Sequence, residues 1–383
     1  MEIVNDYGDW LAEYRTLRET AGILDLSSRS RICLVGNDHV RFLHGQVTND
    51  VKKLRVGEGC YAAIATAKGK MESDVNIFNL QDELLLDFEP GLTEKISQRL
   101  EKFIVADDVQ IVDAAPHYGL LSVQGPKAEE IIQTFGWGER PREPLNSIKI
   151  SDATFGEIYL ANNPRLNPFP LPAKRGEGQG EGQNRSSSPR PSPPLRGEEG
   201  EERSETPYVV SYGFDLFVPK NSFDAFADRL IAATKSFAGR KCGWQAFETV
   251  RIENGIPRFG ADMDETNIPL ECGIENRAVS YNKGCYIGQE VINRIHSVGH
   301  VNKELRALRL AIEANEPLPK KGDKLFRDGK EAGYVTSAVK SPALNANIAL
   351  GYVRRESNQI GTELILKTAA GESAAKIVEV PLG

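Results

Sequence analysis

Apolar residues recur at helical spacing near the start of the chain. Trp10, Leu11, Tyr14, Leu17 and Ala21 fall on one face of residues 6–22, which predicts an amphipathic helix that Gly22 can end. Residues 32–35 read as a short strand stopped by Gly36-Asn37-Asp38, and Asp38 is placed to cap a helix holding Val40, Phe42 and Leu43. From residue 59 the period shortens. Residues 60–66 and 74–79 predict strands across the turn Ala67-Lys68-Gly69-Lys70. Another strand follows at 84–88, an amphipathic helix at 92–103 and a strand at 109–112. That order predicts a small α+β layer, one helix on an antiparallel sheet. Strand then helix recurs at 118–123 and 128–135, and again at 208–218 and 222–234. Beyond about residue 302 the pattern is β-rich. Short strands at 305–310, 324–327, 331–337, 348–353 and 363–368, broken by Gly, Asp and Asn, predict a closed barrel or sandwich.

One stretch carries no such pattern. Residues 167–207 are Pro, Gly, Ser, Arg and Glu with almost no apolar content, so they cannot bury enough surface to offset their ordering entropy. They are expected to be a disordered low-complexity insertion whose deletion leaves the fold intact, checked by cooperative melting of the shortened chain.

Composition narrows the classes of function. The chain has 383 residues, 40% hydrophobic and 26% charged, as expected of a multidomain globular protein. A net charge of −7 argues against general nucleic-acid affinity. The N-terminus lacks the apolar core of a secretory signal, and no apolar run approaches the ~18 residues a membrane span needs. Five widely spaced cysteines without a CxxC pair, and five scattered histidines, point to free thiols, no metal site and a cytoplasmic location.

Three patches carry candidate chemistry. Cys285 follows Lys283-Gly284 and precedes Gly288-Gln289-Glu290, which can start a helix. A thiol there would be activated by the helix terminus and the ammonium, or it would be a small buried hydrophobe beside Tyr286. Residues 251–260 offer Arg251, Arg258, Glu253 and Phe259 among glycines, a set suited to a flat anionic ligand or to an internal ion pair. The turn at Gly69 carries Lys68 and Lys70 and leads to Asp74, a candidate acid if it faces inward.

Together these residues resemble a known family. Leu17-Arg18-Glu19-Thr20-Ala21-Gly22-Ile23-Leu24-Asp25-Leu26-Ser27, Val35-Gly36-Asn37-Asp38, Phe42-Leu43 and Thr48-Asn49-Asp50 resemble the opening of the aminomethyltransferase (glycine-cleavage T-protein) superfamily. Arg251-Ile252-Glu253-Asn254-Gly255 resembles its central arginine motif. Lys283-Gly284-Cys285-Tyr286-Ile287-Gly288-Gln289-Glu290 is similar to the block that marks the YgfZ-type folate-binding branch. Gly333-Tyr334-Val335-Thr336-Ser337 and Ile348-Ala349-Leu350-Gly351-Tyr352-Val353 fit the family's last barrel.

The resemblance implies an α+β fold of three domains in a ring. A folate-binding region fills residues 1–300, with a ferredoxin-like subdomain at about 51–115, and a β-barrel fills 301–383. It implies tetrahydrofolate as cofactor, polyglutamylated forms included. It implies an accessory role toward iron–sulfur assembly or client proteins, with tRNA modification affected only indirectly and no direct nucleic-acid or membrane partner. Cys285 and Asp74 are then the candidate reactive residues, and Arg251, Arg258, Lys283, Tyr286, Gln289 and Glu290 the candidate folate contacts. The transferases carry two consecutive acids where this chain has Ser73-Asp74, and an acid before the glycine where it has Ser211-Tyr212-Gly213. A folate-dependent aminomethyl transferase and a scaffold without ligand therefore stand as alternatives.

Overall fold

The computed structural model describes residues 4–166, 213–312 and 316–381. Residues 167–207 lie outside them. In chain order, α1 (Trp10–Glu19), β1 (Gly22–Asp25), β2 (Ser30–Val35) and α2 (His39–Gln46) precede the hairpin of β3 (Gly59–Ala65) and β4 (Met71–Asn79). Then come β5 (Glu83–Phe88), α3 (Thr93–Glu101), β6 (Gln110–Asp113), β7 (Tyr118–Gln124), α4 (Ala128–Gln133), β8 (Ser147–Asp152) and β9 (Gly156–Asn162). β10 (Gly213–Pro219), α5 (Phe223–Lys235), β11 (Arg240–Lys241), α6 (Trp244–Glu253), α7 (Glu275–Ala278) and α8 (Gln289–Ser297) follow. The chain closes with β12 (Lys303–Leu310), β13 (Lys324–Arg327), β14 (Lys330–Ser341), β15 (Ala346–Arg354), β16 (Glu363–Thr368) and β17 (Gly371–Val378).

These elements build three lobes of an α+β protein. The first holds a six-stranded sheet in the order β11-β1-β7-β10-β9-β8. The second holds a five-stranded antiparallel sheet, β3-β4-β5-β2-β6, which takes in β2 from well before residue 51. The third is a closed barrel, β12-β15-β14-β13-β16-β17. Closure leaves the barrel with no unpaired edge, and Leu308, Leu325, Val335, Leu366 and Ile377 fill it. The alternating pattern missed five strands: β1 and β11 are only four and two residues long, and β8, β9 and β17 mix charged and apolar residues without clean alternation. No helix among the described residues is long and apolar enough to cross a membrane.

Local chemistry explains the joints between lobes. The Asp9 side chain accepts from the Ala12 N–H and so caps α1. Glu13, buried on that helix, accepts from the Gly243 and Tyr7 N–H groups and ties α1 to the start of α6. At the far end of α6, Glu253 takes hydrogen bonds from Tyr14 and from Ser341 of the barrel. Asp38, expected to cap α2, makes no cap bond; its carboxylate accepts from the Asp108 N–H and pairs with Arg41.

Candidate functional site

The lobes meet at a pocket whose wall includes Arg29, Tyr61, Asp74, Asn76, Glu89, Arg165, Trp244 and Arg258. Asp74 enters it from β4. On a strand, neighbours face opposite sides, and Ser73 accordingly is fully buried, its hydroxyl donating to the Asp74 carbonyl. The serine therefore removes no carboxylate from the pocket. Asp74 Oδ2 accepts from the Tyr61 hydroxyl at 2.8 Å, while Oδ1 is buried without a partner. Burial pushes this carboxyl up to about 6, and the charge of Glu89 adds to the shift; the Tyr61 hydrogen bond and Arg29 oppose it.

Glu89 is the pocket's second acid. Its oxygens take one guanidinium each, Arg29 at 2.6 Å and Arg258 at 3.0 Å. Arg29 also pairs with Asp87 at 2.8 Å, and Asp87 in turn with Arg165 at 2.8 Å. Arg165 reaches Asp215 of the first lobe. Asp87 is fully buried between two guanidiniums, which hold its carboxyl far below the usual carboxylate range. Arg258 donates to Glu248 at 3.2 Å and lies over the Trp244 ring at 5.0 Å. A chain of charge pairs thus runs from the first lobe across the second to α6.

Arg251, expected to meet ligand carboxylates, does line the pocket, but its donors are taken by the protein. It sits in the last turn of α6 rather than in a loop. Its five N–H donors go to both oxygens of Glu248, to Asp262, to the Ile256 carbonyl and to Ser337 of the barrel. No donor remains for a ligand. Arg29 and Arg165, which the sequence reading did not single out, each have a terminal guanidinium nitrogen without a hydrogen bond among the described residues, as does Arg258. A serine-rich turn and an Asn-Asn-Pro-Arg run gave little signal of this.

The block at residues 283–290 lies apart from this pocket. The Lys283 ammonium donates to the carbonyls of His44, Val47 and Asn49 and so caps the end of α2. Burial pushes it down to about 8, with Asp50 and Cys60 pulling the other way. Those three hydrogen bonds use all of its protons, which leaves none for the expected folate carboxylate or for the Cys285 thiol. α8 begins at Gln289, four positions after the thiol. Cys285 is exposed, so it is not a core hydrophobe either. Tyr286 is buried beneath the block, and neither it nor Gln289 or Glu290 is in the pocket wall. Gly288 has φ 88°, and a Cβ there would sit 2.5 Å from the Thr66 carbonyl. The block grips the hairpin turn between β3 and β4, the strand that carries Asp74. His296 stacks on Tyr281 at 3.7 Å, and α8 stops at Ser297, short of His300. All five cysteines are free thiols, and the described residues hold no cluster of metal-ligating side chains.

Comparison with known proteins agrees with this architecture. The GCVT N-terminal domain matches residues 1–158 and 203–283, and the glycine cleavage T-protein C-terminal barrel domain matches 303–382. The chain is similar to an aminomethyltransferase of Halalkalibacterium halodurans, 26% identical over 99% of this chain and 93% of that one. It is similar to an aminomethyltransferase of Symbiobacterium thermophilum, 28% identical over 99% and 91%. Its fold matches the crystal structure of glycine cleavage system aminomethyltransferase T from Bartonella henselae, with a TM-score of 0.79 at 18% identity over 99% of this chain and 91% of that one.

Proposed function

The chain belongs to the family defined by the GCVT N-terminal domain and the glycine cleavage T-protein C-terminal barrel, and from that premise we propose that its central pocket binds tetrahydrofolate for one-carbon transfer. The observation that carries the reading is Asp74, with one oxygen fixed by Tyr61, the other unpartnered, and a carboxyl raised to about 6. Such a group is poised to take or hold a proton near neutral pH. The pocket suits a folate in its other parts. Trp244 and the Arg258 guanidinium over it offer a flat face for a ring. The remaining donors of Arg29, Arg165 and Arg258 suit acceptors on that ring, such as the 4-oxo oxygen of a pterin.

Full-length relatives named aminomethyltransferase put this reading ahead of the iron–sulfur accessory role. Purified protein should convert an aminomethyl carrier and tetrahydrofolate into methylenetetrahydrofolate, ammonia and the free carrier, and Asp74→Asn should do so far more slowly. Binding without product by the native protein removes the transfer half of the proposal.

A second reading keeps the folate and drops the transfer. The observation favouring it is the exposed thiol of Cys285, held at the surface by an anchored block that the transfer chemistry leaves unused. In cells lacking the gene, restoration of iron–sulfur enzyme activity by the native chain but not by Cys285→Ala would establish it. Full restoration by the alanine variant would leave the cysteine without that role.

A further inference from the structure

We propose that Glu89 is the specificity-determining carboxylate of the pocket, accepting from the ring N–H and the 2-amino group on the 2-amino-4-oxo edge of a bound pterin. The inference rests on the folate reading and deepens it. That edge presents two parallel donors, and an ionised carboxylate matches them with its two oxygens. The pocket wall contains two acids, Asp74 and Glu89.

Asp74 is poorly suited to the edge. Its Oδ2 is held by Tyr61 at 2.8 Å, which leaves one oxygen to face two donors. Glu89 has both oxygens to offer. Each takes a single guanidinium N–H, from Arg29 at 2.6 Å and from Arg258 at 3.0 Å. A carboxylate has about four acceptor positions, so each oxygen keeps room for a ligand donor. The same arrangement aligns the ring. Arg258 lies over Trp244 at 5.0 Å and has a second anchor in Glu248 at 3.2 Å, so the stacking layer beside Glu89 stays in place when the carboxylate takes its ligand. Asp74 then keeps its free oxygen for the reacting side, and the two acids divide edge recognition from proton handling.

The test measures dissociation constants by tryptophan fluorescence for tetrahydrofolate and for its analogue bearing hydrogen in place of the 2-amino group. Native protein should bind the analogue about 30-fold more weakly, the loss of a charge-assisted hydrogen bond. Glu89→Gln should bind tetrahydrofolate weakly by a similar factor and no longer discriminate between the two ligands. Asp74→Asn should keep the discrimination. Equal affinity of native protein for both ligands overturns the assignment and leaves the folate reading standing, and this arm decides even if Glu89→Gln fails to fold. Discrimination retained by Glu89→Gln but lost in Asp74→Asn moves the role to Asp74 and also overturns it. No binding of either pterin by native protein removes the folate reading and this inference together.

Discussion

The pocket and the block at residues 283–290 make opposite use of charge. In the pocket, Asp74 is left with an unpartnered oxygen and a pKa raised to about 6, a state that costs stability. In the block, Lys283 is buried as well, yet all three of its protons go to carbonyl oxygens at the end of α2. One group is held ready for something from outside; the other is spent on holding the chain. The most distinctive stretch of sequence is thus largely a clamp on the hairpin behind Asp74, while the pocket is assembled from residues scattered over more than two hundred positions.

Breaking the pocket should have the largest effect on function and the opposite effect on stability. Asp74→Asn should lower one-carbon transfer by roughly 10²–10⁴-fold, the range for loss of a positioned proton-transfer group. The same variant should be more stable than native protein at pH 7.5. The folded pKa of about 6 lies above the unfolded value of about 3.9, so the folded state binds the proton more tightly. The cost of ionising Asp74 is complete above about pH 6 and disappears as the pH falls toward 4, amounting to about 1–3 kcal/mol. Urea melts at pH 7.5 and pH 4.5 should show that gain shrinking. An equal gain at both pH values would mean that Asp74 ionisation is not its source.

Asp87, fully buried behind the pocket wall, sharpens the comparison because it is a charge fully spent. Buried between Arg29 and Arg165, it should cost about 3 kcal/mol on conversion to Asn, since each of two buried guanidiniums loses one of its two carboxylate partners. Its folded pKa is depressed. Its contribution is therefore full above the unfolded value near 4 and is lost as the pH falls below it; acid melts of native protein and variant should converge there.

The block predicts smaller effects. Lys283→Met leaves three carbonyls at the end of α2 without their donor and should cost about 2 kcal/mol, with tetrahydrofolate affinity changed far less than by Asp74→Asn. Cys285→Ala should change the melt by less than about 0.5 kcal/mol and leave folate binding unaltered. A large stability loss at Cys285, or a large affinity loss at Lys283, would blur the division between clamp and pocket.

Much of this architecture was legible in the chain. The hairpin around Gly69, the helix at 93–101 and the barrel follow from period and turn residues, and their structural counterparts lie within a few positions. Asp74 was legible because an acid follows the only lysine-flanked glycine turn. Glu89 and Arg165 were not, because a charged residue after a strand reads as solvated until the fold brings three lobes around it. Arg251 misled for the same reason. Its position in a charged run suggests a ligand contact, and only the tertiary partners Asp262 and Ser337 show that its donors are used up. Lys283 likewise sits near a thiol in sequence but points to carbonyls 234 to 239 positions away.

The most direct measurement is a titration of the native protein with tetrahydrofolate, followed by the fluorescence of Trp244 in the pocket wall with Trp244→Phe as the signal control. The account predicts saturable quenching in the low micromolar range, absent in the control and unchanged in Cys285→Ala. No quenching at high micromolar ligand, or quenching that persists in full without Trp244, would contradict it.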